Sequence, residues 1–347
     1  MAASIDVVVP VHNGYDLTCE CLAHLERQTA AHRVIVVDDG SDDGTPERLR
    51  REWPRVRTVE LGANHGYTRA VNRGVSAGTG EYVVLLNNDV QLRPDCLERL
   101  VAPLDGDPQV GSVAALMLKP GERTIDSLGV TADVTLAGFA RMQGRNVDDM
   151  ATRTPVLTGP EGTAGAYRRA AWEQAGGLDE TISAYMEILD LALRLRAAGW
   201  GAASAPAARG MHLGSSTYGK RSARQRRLAG FSRGYLLRRY GVLRSRAAAR
   251  ALLTEAAVVA GDLVICRDAH ALRGRVEGWR AGREGEPRER PPSDAIDGSI
   301  GLWESLKLRR SAYRPSGPAP ESPFPEREPD VPAPESDGPV RERSASR

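Results

Sequence analysis

Cysteine is scarce in this chain of 347 residues, and its spacing excludes two chemistries. Cys19 and Cys21 stand two apart, too close for a Cys-x-x-Cys redox pair or a zinc knuckle, and Cys96 and Cys266 are isolated. Reduced thiols in a cytoplasmic protein are the expectation. No uninterrupted apolar stretch reaches the roughly 20 residues needed to span a bilayer. No basic segment followed by an apolar one opens the chain, which predicts no signal peptide. No G-x-G-x-x-G follows a strand-like run. The nearest approach to a P-loop, Gly214 to Lys220, has Arg221 where a Mg²⁺-binding Ser or Thr should stand. Acidic residues are absent from Leu191 to Thr254, where thirteen arginines and Lys220 give a formal charge of +14. The whole chain carries only +2, so the remainder carries −12. That asymmetry points to an anionic partner: a nucleotide, a lipid phosphate or a membrane surface. Nucleic acid is not among the expected partners.

Hydrophobic content of 41% is ordinary for a globular protein, and the length allows one large domain or two ordinary ones. The first third reads as alternating strands and helices. Ile5 to Val11, Arg33 to Val37, Val56 to Leu61 and Glu81 to Leu86 are apolar runs, with helix-like spacing over Leu17–Gln28 and Thr68–Ala77. This alternation predicts an α/β fold with a parallel sheet flanked by helices, its strands covered on both faces. Polar groups follow the strands: Asn13 after the first, Asp38, Asp39 and Ser41 after the second, and Asn87-Asn88-Asp89 after the fourth. Ligands of open α/β sheets bind at such strand ends. A lone carboxylate flanked by short amides suits a hard divalent cation; alone, the tripeptide reads equally as an Asn-rich turn.

Val9-Pro10-Val11-His12-Asn13, Val37-Asp38-Asp39-Gly40-Ser41, Asn64-His65-Gly66 with Asn72-Arg73-Gly74, and Leu85 to Asp89 occur in that order. The ordered set resembles the inverting family 2 glycosyltransferases of GT-A fold, a Rossmann-like nucleotide-binding sheet with flanking helices. Asn-Asn-Asp in place of Asp-x-Asp is similar to the bacterial rhamnosyltransferase branch. The resemblance covers about residues 4 to 240 and continues through Gly176 to Glu180, Glu187 to Gly199, and His212 with Ser215-Ser216. It implies a nucleotide-sugar donor such as dTDP-rhamnose, a glycan or lipid-linked acceptor of the cell envelope, and Mg²⁺ or Mn²⁺ as cofactor. Asp89 and His212 are then metal ligands. Asp39, with Asp38 and Ser41 beside it, reads the base; Pro10, Val11 and Asn13 wall the base and ribose; Asn64, Gly66, Asn72 and Asn88 line the cleft. Gly162 to Arg169, rich in small residues, is expected close to that cleft.

The family's usual base is an Asp, and here Ile188 stands in its place. Glu187 and Asp190 are the candidate catalytic carboxylates. Asp190 can pair with Arg194 at i,i+4, a structural role, and Glu187 can simply favour a helix N-terminus. Two other function classes stay open: a degenerate, non-catalytic sugar-nucleotide-binding partner protein, and a nucleotidyltransferase, whose Gly-rich basic loop is missing. The expected domains are 1–220, catalytic; 221–281, basic and helical; and 282–347, a disordered tail whose Pro, Glu, Arg and Ser cannot bury enough surface to fold. Arg224 to Tyr240 and Ala247 to Cys266 read either as helices packed on the catalytic domain or as a surface, within residues 220–266, that lies on an anionic leaflet. The second reading places the protein peripherally at the inner face of the plasma membrane. Ile300 to Leu308 is an amphipathic island within the tail.

Overall fold

The computed structural model describes residues 4–121, 123–148, 154–214 and 222–311. Its N-terminal half is the predicted α/β alternation. Strands β1 (Ile5–Val11), β2 (His32–Asp38), β3 (Arg57–Glu60) and β4 (Tyr82–Leu86) run parallel in the order β3-β2-β1-β4. They are joined by helices α1 (Tyr15–Glu26), α2 (Thr45–Glu52) and α3 (Tyr67–Ala77). Successive side chains of a strand point to opposite faces, so each apolar run feeds two cores. Val7, Val9, Val11, Val84 and Leu86 pack with Leu22 and Leu25 of α1. Val8, Val37, Val83 and Leu85 pack with Val71 and Val75 of α3.

Beyond β4 the sheet becomes mixed. β5 (Val90–Leu92), α4 (Cys96–Gly106), β6 (Val110–Leu118), β7 (Ile125–Ser127), the β8 (Val130–Ala132)–β9 (Gly138–Ala140) hairpin, β10 (Ala164–Arg168), α5 (Arg169–Ala175), α6 (Glu187–Ala197) and β11 (Gly201–His212) follow in the chain. In space the sheet continues β4-β10-β6-β11-β5, with β7 on β6. β10 is antiparallel to both its neighbours. It is the small-residue segment expected near the cleft, and it lies directly beside β4.

The C-terminal helices α7 (Ala223–Arg239), α8 (Ala248–Ile265), α9 (His270–Ala281) and α10 (Leu302–Ser311) cover α6 and the β8–β9 hairpin. One apolar cluster joins Val130, Leu189 and Leu193 to Tyr235, Leu236 and Val242. Helices α7 and α9 meet through glycines at i,i+4 on both: Gly230 and Gly234 against Gly274 and Gly278. An added Cβ at Gly234 would fall on the Arg275 carbonyl, and one at Gly278 on the Phe231 carbonyl. Beside this contact Arg233, 1% exposed, donates to Glu255 (2.6 Å) and to the carbonyls of Leu136 and Thr135 (both 2.9 Å). Glu255 also accepts from Arg275 and Arg309 (both 2.8 Å).

The expected disorder from Gly282 does not hold as far as Ser311. Arg288 pairs with Asp179 and Asp190, and Arg196 with Asp294 (2.7 Å). Asp297 accepts from the Val156 amide (3.0 Å), Ser305 donates to Asp133 (2.8 Å), and the amphipathic island is α10. The segment lacks a core of its own but borrows one by docking, burying Ala295 and Ile300 against the folded body. Ser215, Ser216 and residues 312–347 lie outside the described residues.

Overpacking a tight contact typically costs about 1–3 kcal/mol. Because the obstruction at Gly278 is backbone, Gly278→Val is expected to lower the unfolding free energy by about 3 kcal/mol. An unchanged urea midpoint would refute the close α7–α9 contact.

Candidate active site

The end of β4 delivers Asn87-Asn88-Asp89 to the sheet rim. β5 pairs antiparallel with the end of β11, and His212 lies opposite Val90. That register sets His212 against Asp89: Nε2 to Oδ2 is 3.3 Å, and Asp89 is only 4% exposed. The other ring nitrogen, Nδ1, is 2.7 Å from Asp126 Oδ2 on β7. Burial pushes the imidazole pKa down, but hydrogen bonds to Asp126 and Asp89 more than offset it, and it is raised to about 10. Asp126 was not foreseen. Its sequence signal is a lone Asp in a three-residue strand, and only the pairing of β7 with β6 brings it to His212.

The loops after β1 and β2 are interlocked. Asn13 adopts a left-handed backbone (φ 62°), donates its amide to Ser41 Oγ (2.8 Å), and exchanges side-chain bonds with Asp42 (both 2.9 Å). Asp39 donates its amide to the Val11 carbonyl (2.8 Å), beside half-buried Pro10. Both Asp39 carboxylate oxygens accept backbone amides, from His65 (2.7 Å) and Gly66 (2.8 Å). Asp39 therefore anchors the loop before α3. Asp38 keeps one oxygen on the Ser41 amide (3.1 Å), while its Oδ1 is buried without a hydrogen-bond partner among the described residues. Gly40, at φ 70°, abuts the Ala63–Asn64 backbone so closely that no side chain fits, and Asn64 itself is exposed. Asn88 donates to Thr18 Oγ1 (3.1 Å), beside Gly14. Asn72 departs from the expected cleft lining. Its amide is spent on the Leu178 backbone (both bonds 2.9 Å) and on Glu180 (3.1 Å), so it ties α3 to the Gly176–Glu180 loop.

Glu187 opens α6 after Tyr185 and Met186, both left-handed (φ 63° and 66°), a conformation uncommon outside glycine and Asn. Such strain clusters at functional sites. The Glu187 carboxyl has a buried Oε2 without a hydrogen-bond partner among the described residues. Burial pushes its pKa up to about 7, and the charge of Glu161 adds to the rise. Glu161 accepts from Thr163 (2.9 Å from the amide), whose carbonyl accepts the Asn87 amide (3.0 Å). Tyr67 donates to the Gly162 carbonyl (3.3 Å), and Gly66 approaches Ser183 just ahead of α6. The carboxyl thus lies beside the Glu161–Thr163 segment that leads to Asn87 at the end of β4. Asp190 is 0% exposed, and Arg194 (2.9 Å), Tyr240 (3.0 Å) and Arg288 hold its oxygens. The structure makes it a scaffold group rather than a base. Ile188 points into the core beside Tyr167.

The glycosyl transferase family 2 profile matches residues 6–176. N-acetylglucosaminyl-diphospho-decaprenol L-rhamnosyltransferase of Mycobacterium tuberculosis is 32% identical over 209 residues, 54% of this chain and 68% of that protein. The chain belongs to glycosyl transferase family 2. It is a glycosyltransferase, and the family's chemistry is transfer from a nucleotide-sugar donor. The chain is also similar to undecaprenyl-phosphate 4-deoxy-4-formamido-L-arabinose transferase of Klebsiella pneumoniae, 33% identical over 31% of this chain and 36% of that one. Among solved structures it resembles the Pyrobaculum calidifontis mannosyltransferase PcManGT, in complex with GDP-Man and Mn²⁺. That likeness has a TM-score of 0.51 and 21% identity, covering 89% of this chain and 85% of that one. GalNAc-T7 with UDP, GalNAc and Mn²⁺ superposes with a TM-score of 0.56 at 12% identity, over 90% of this chain and 58% of that one. These likenesses show the GT-A fold of the family 2 chain.

Hydrogen bonds to charged groups each contribute about 1.5–3 kcal/mol. Asp39→Ala removes two of them and is expected to destabilise the protein by about 3 kcal/mol. Amide exchange at His65 and Gly66 should accelerate by far more than at the buried strands. Equal acceleration everywhere would contradict a local anchoring role.

Proposed function

We propose that this chain transfers rhamnose from dTDP-rhamnose to a lipid-linked glycan of the cell envelope, with inversion, at the cytoplasmic face of the membrane. The sugar and acceptor rest on the name of the mycobacterial relative. Among the described residues no helix is long and apolar enough to cross a membrane, so a lipid-linked acceptor would be met at the surface.

The observation that carries the catalytic reading is the Asp89–His212–Asp126 arrangement at the end of β4. One carboxylate oxygen and one imidazole nitrogen, 3.3 Å apart, fit two neighbouring donors to a single hard cation. Asp126 accepts from Nδ1–H and leaves Nε2 facing Asp89, where its proton would give way to a bound cation. Among the described residues no set of three His, Cys, Asp or Glu side chains forms a metal site. Asp89 and His212 would hold Mg²⁺ or Mn²⁺ together with a donor diphosphate. The ion would supply Lewis-acid stabilisation of the departing nucleoside diphosphate. Asp38, with its unpartnered oxygen, is the better candidate for reading the base, and Asp39 shapes the pocket through His65 and Gly66. Glu187 takes the proton of the acceptor hydroxyl as that oxygen attacks the anomeric carbon from the face opposite the diphosphate. One displacement inverts the centre. The non-catalytic alternative arose from Ile188, a core side chain whose neighbour, Glu187, carries the carboxyl.

A base must be unprotonated. With the Glu187 pKa at about 7, kcat/KM should rise about tenfold per pH unit below 7 and level off above it. The folded pKa lies above the ordinary value of 4.5, so ionisation costs stability as pH rises from there through 7. Glu187→Gln removes that cost. It is expected to raise Tm at pH 8 and lower turnover by about 10²–10⁴, with donor affinity by calorimetry unchanged. Turnover equal to the parent protein would eliminate Glu187 as the base.

Asp126→Asn should weaken Mn²⁺ affinity by about 10–100-fold, the usual effect of losing a carboxylate behind a ligating histidine. Titration with Mn²⁺ alone tests this, and unchanged affinity would remove Asp126 from the site.

A further inference from the structure

Helix α8 carries three charged side chains, and all are directed inward. Arg250 reaches Asp133 (3.2 Å). Glu255 is enclosed by Arg233, Arg275 and Arg309. Asp262 feels Arg275 and Arg226. The opposite face is uncharged along the helix and carries Leu252 (57% exposed), Leu253 (62%), Leu263 (43%) and Val264 (76%), and Ile265 (81%) is exposed at the helix's last residue. The spacing from 252/253 to 263/264 keeps them on one side, with exposed alanines 256, 257 and 260 between. On α9, Leu272 and Val276 are exposed four residues apart. An apolar hollow of about 240 Å³, lined by Leu237, Leu243, Leu252, Val276 and Trp279 among others, joins the two helices. Around this surface stand Arg244, Arg246, Arg267, Arg273 and Arg280, all exposed, for which no ion pair is recorded among the described residues.

We propose that the α8–α9 surface docks on an anionic lipid bilayer, with α8 lying in the headgroup plane and the five arginines meeting lipid phosphates. An uncharged helix face rimmed by unpaired cations matches an interface whose surface is anionic and whose depth is apolar. It matches a second copy of the chain less well, because the same arginines would then face one another. The proposal deepens the membrane placement suggested above by naming the element that makes the contact, and it does not depend on which sugar is transferred.

The test is flotation of the full chain with vesicles of phosphatidylcholine alone or with roughly a third phosphatidylglycerol. The parent protein is expected to float with the anionic vesicles and to be released by about 0.5 M salt. Val264→Glu with Ile265→Glu should lower binding at least tenfold, and Arg244→Ala with Arg246→Ala should reduce it while keeping the circular dichroism spectrum. These positions lie outside the active site, so donor turnover in detergent should match the parent. Its loss in the parent protein too would count against the transferase reading, not the docking surface. Failure of the parent to float, or equal flotation of the Val264/Ile265 variant, would overturn the proposal. So would a parent dimer that the Val264/Ile265 variant abolishes, which assigns the surface to a second copy.

Discussion

The buried carboxylate of Asp190 is the constraint on which the catalytic end of the molecule depends. It is wholly enclosed, and Arg194, Arg288 and Tyr240 converge on it. Removing one member of such a group would leave an uncompensated buried charge, a larger loss than the group's net contribution. Arg194 also donates to the carbonyls of Ala175 and Gly177, so the Gly176–Glu180 loop hangs from the same point. Asn72 ties that loop to α3, and Asp39 grips the residues entering α3. A continuous run of polar contacts therefore leads from the loops after β1 and β2 to α6, whose first residue is Glu187. The two halves of the cleft are held in register by hydrogen bonds rather than by apolar packing alone.

Two pairs of carboxylates meet opposite fates. Asp89 and Asp126 share the imidazole of His212, which their hydrogen bonds favour in its charged form. Glu187 and Glu161 have no cation between them; burial and mutual repulsion leave the Glu187 proton bound up to about pH 7. Sites that separate titratable groups in this way assign their roles by environment. The carboxylates that share an imidazole fit the cation site proposed above, and the reluctant carboxyl fits the proposed proton acceptor. The left-handed backbone at Tyr185 and Met186 is the local cost of presenting Glu187 there.

Much of this was legible in the sequence. Three of the four parallel strands, β1, β2 and β4, announced themselves as apolar runs because the sheet is covered there, whereas β3 at the sheet edge is Arg-Thr-Val-Glu with no buried residue. Asp89 and His212 were legible because short motifs marked them. What escaped was whatever depends on pairing between distant segments. The antiparallel insertion of β10 between β4 and β6 leaves only a run of small residues as its trace. Asp126 acquires meaning solely through β7 pairing with β6. Asn72 and Asp39 sit in the expected motifs, yet their side chains are consumed by the scaffold, which residue type and order cannot reveal.

The charge asymmetry shows most clearly how far sequence and space can differ. Ion pairs within the described residues engage Arg194, Arg196, Arg226, Arg227, Arg233 and Arg250 of the thirteen arginines between Leu191 and Thr254. Of their partners, Glu255, Asp268, Glu277 and Asp294 lie further along the chain, Asp190 just before the block and Asp133 well before it. Part of this block of one sign is thus a folding instruction, which draws acidic segments from further along the chain onto α6 and α7. It also explains why residues 282–311 fold despite a composition that reads as disordered. A segment that docks on an existing surface needs complementary charge and a few buried anchors such as Ala295 and Ile300, not a core of its own. What remains after this internal neutralisation is a smaller, localised excess of cations at the edge of α8 and α9. There it coincides with the apolar surface that the fold leaves uncovered.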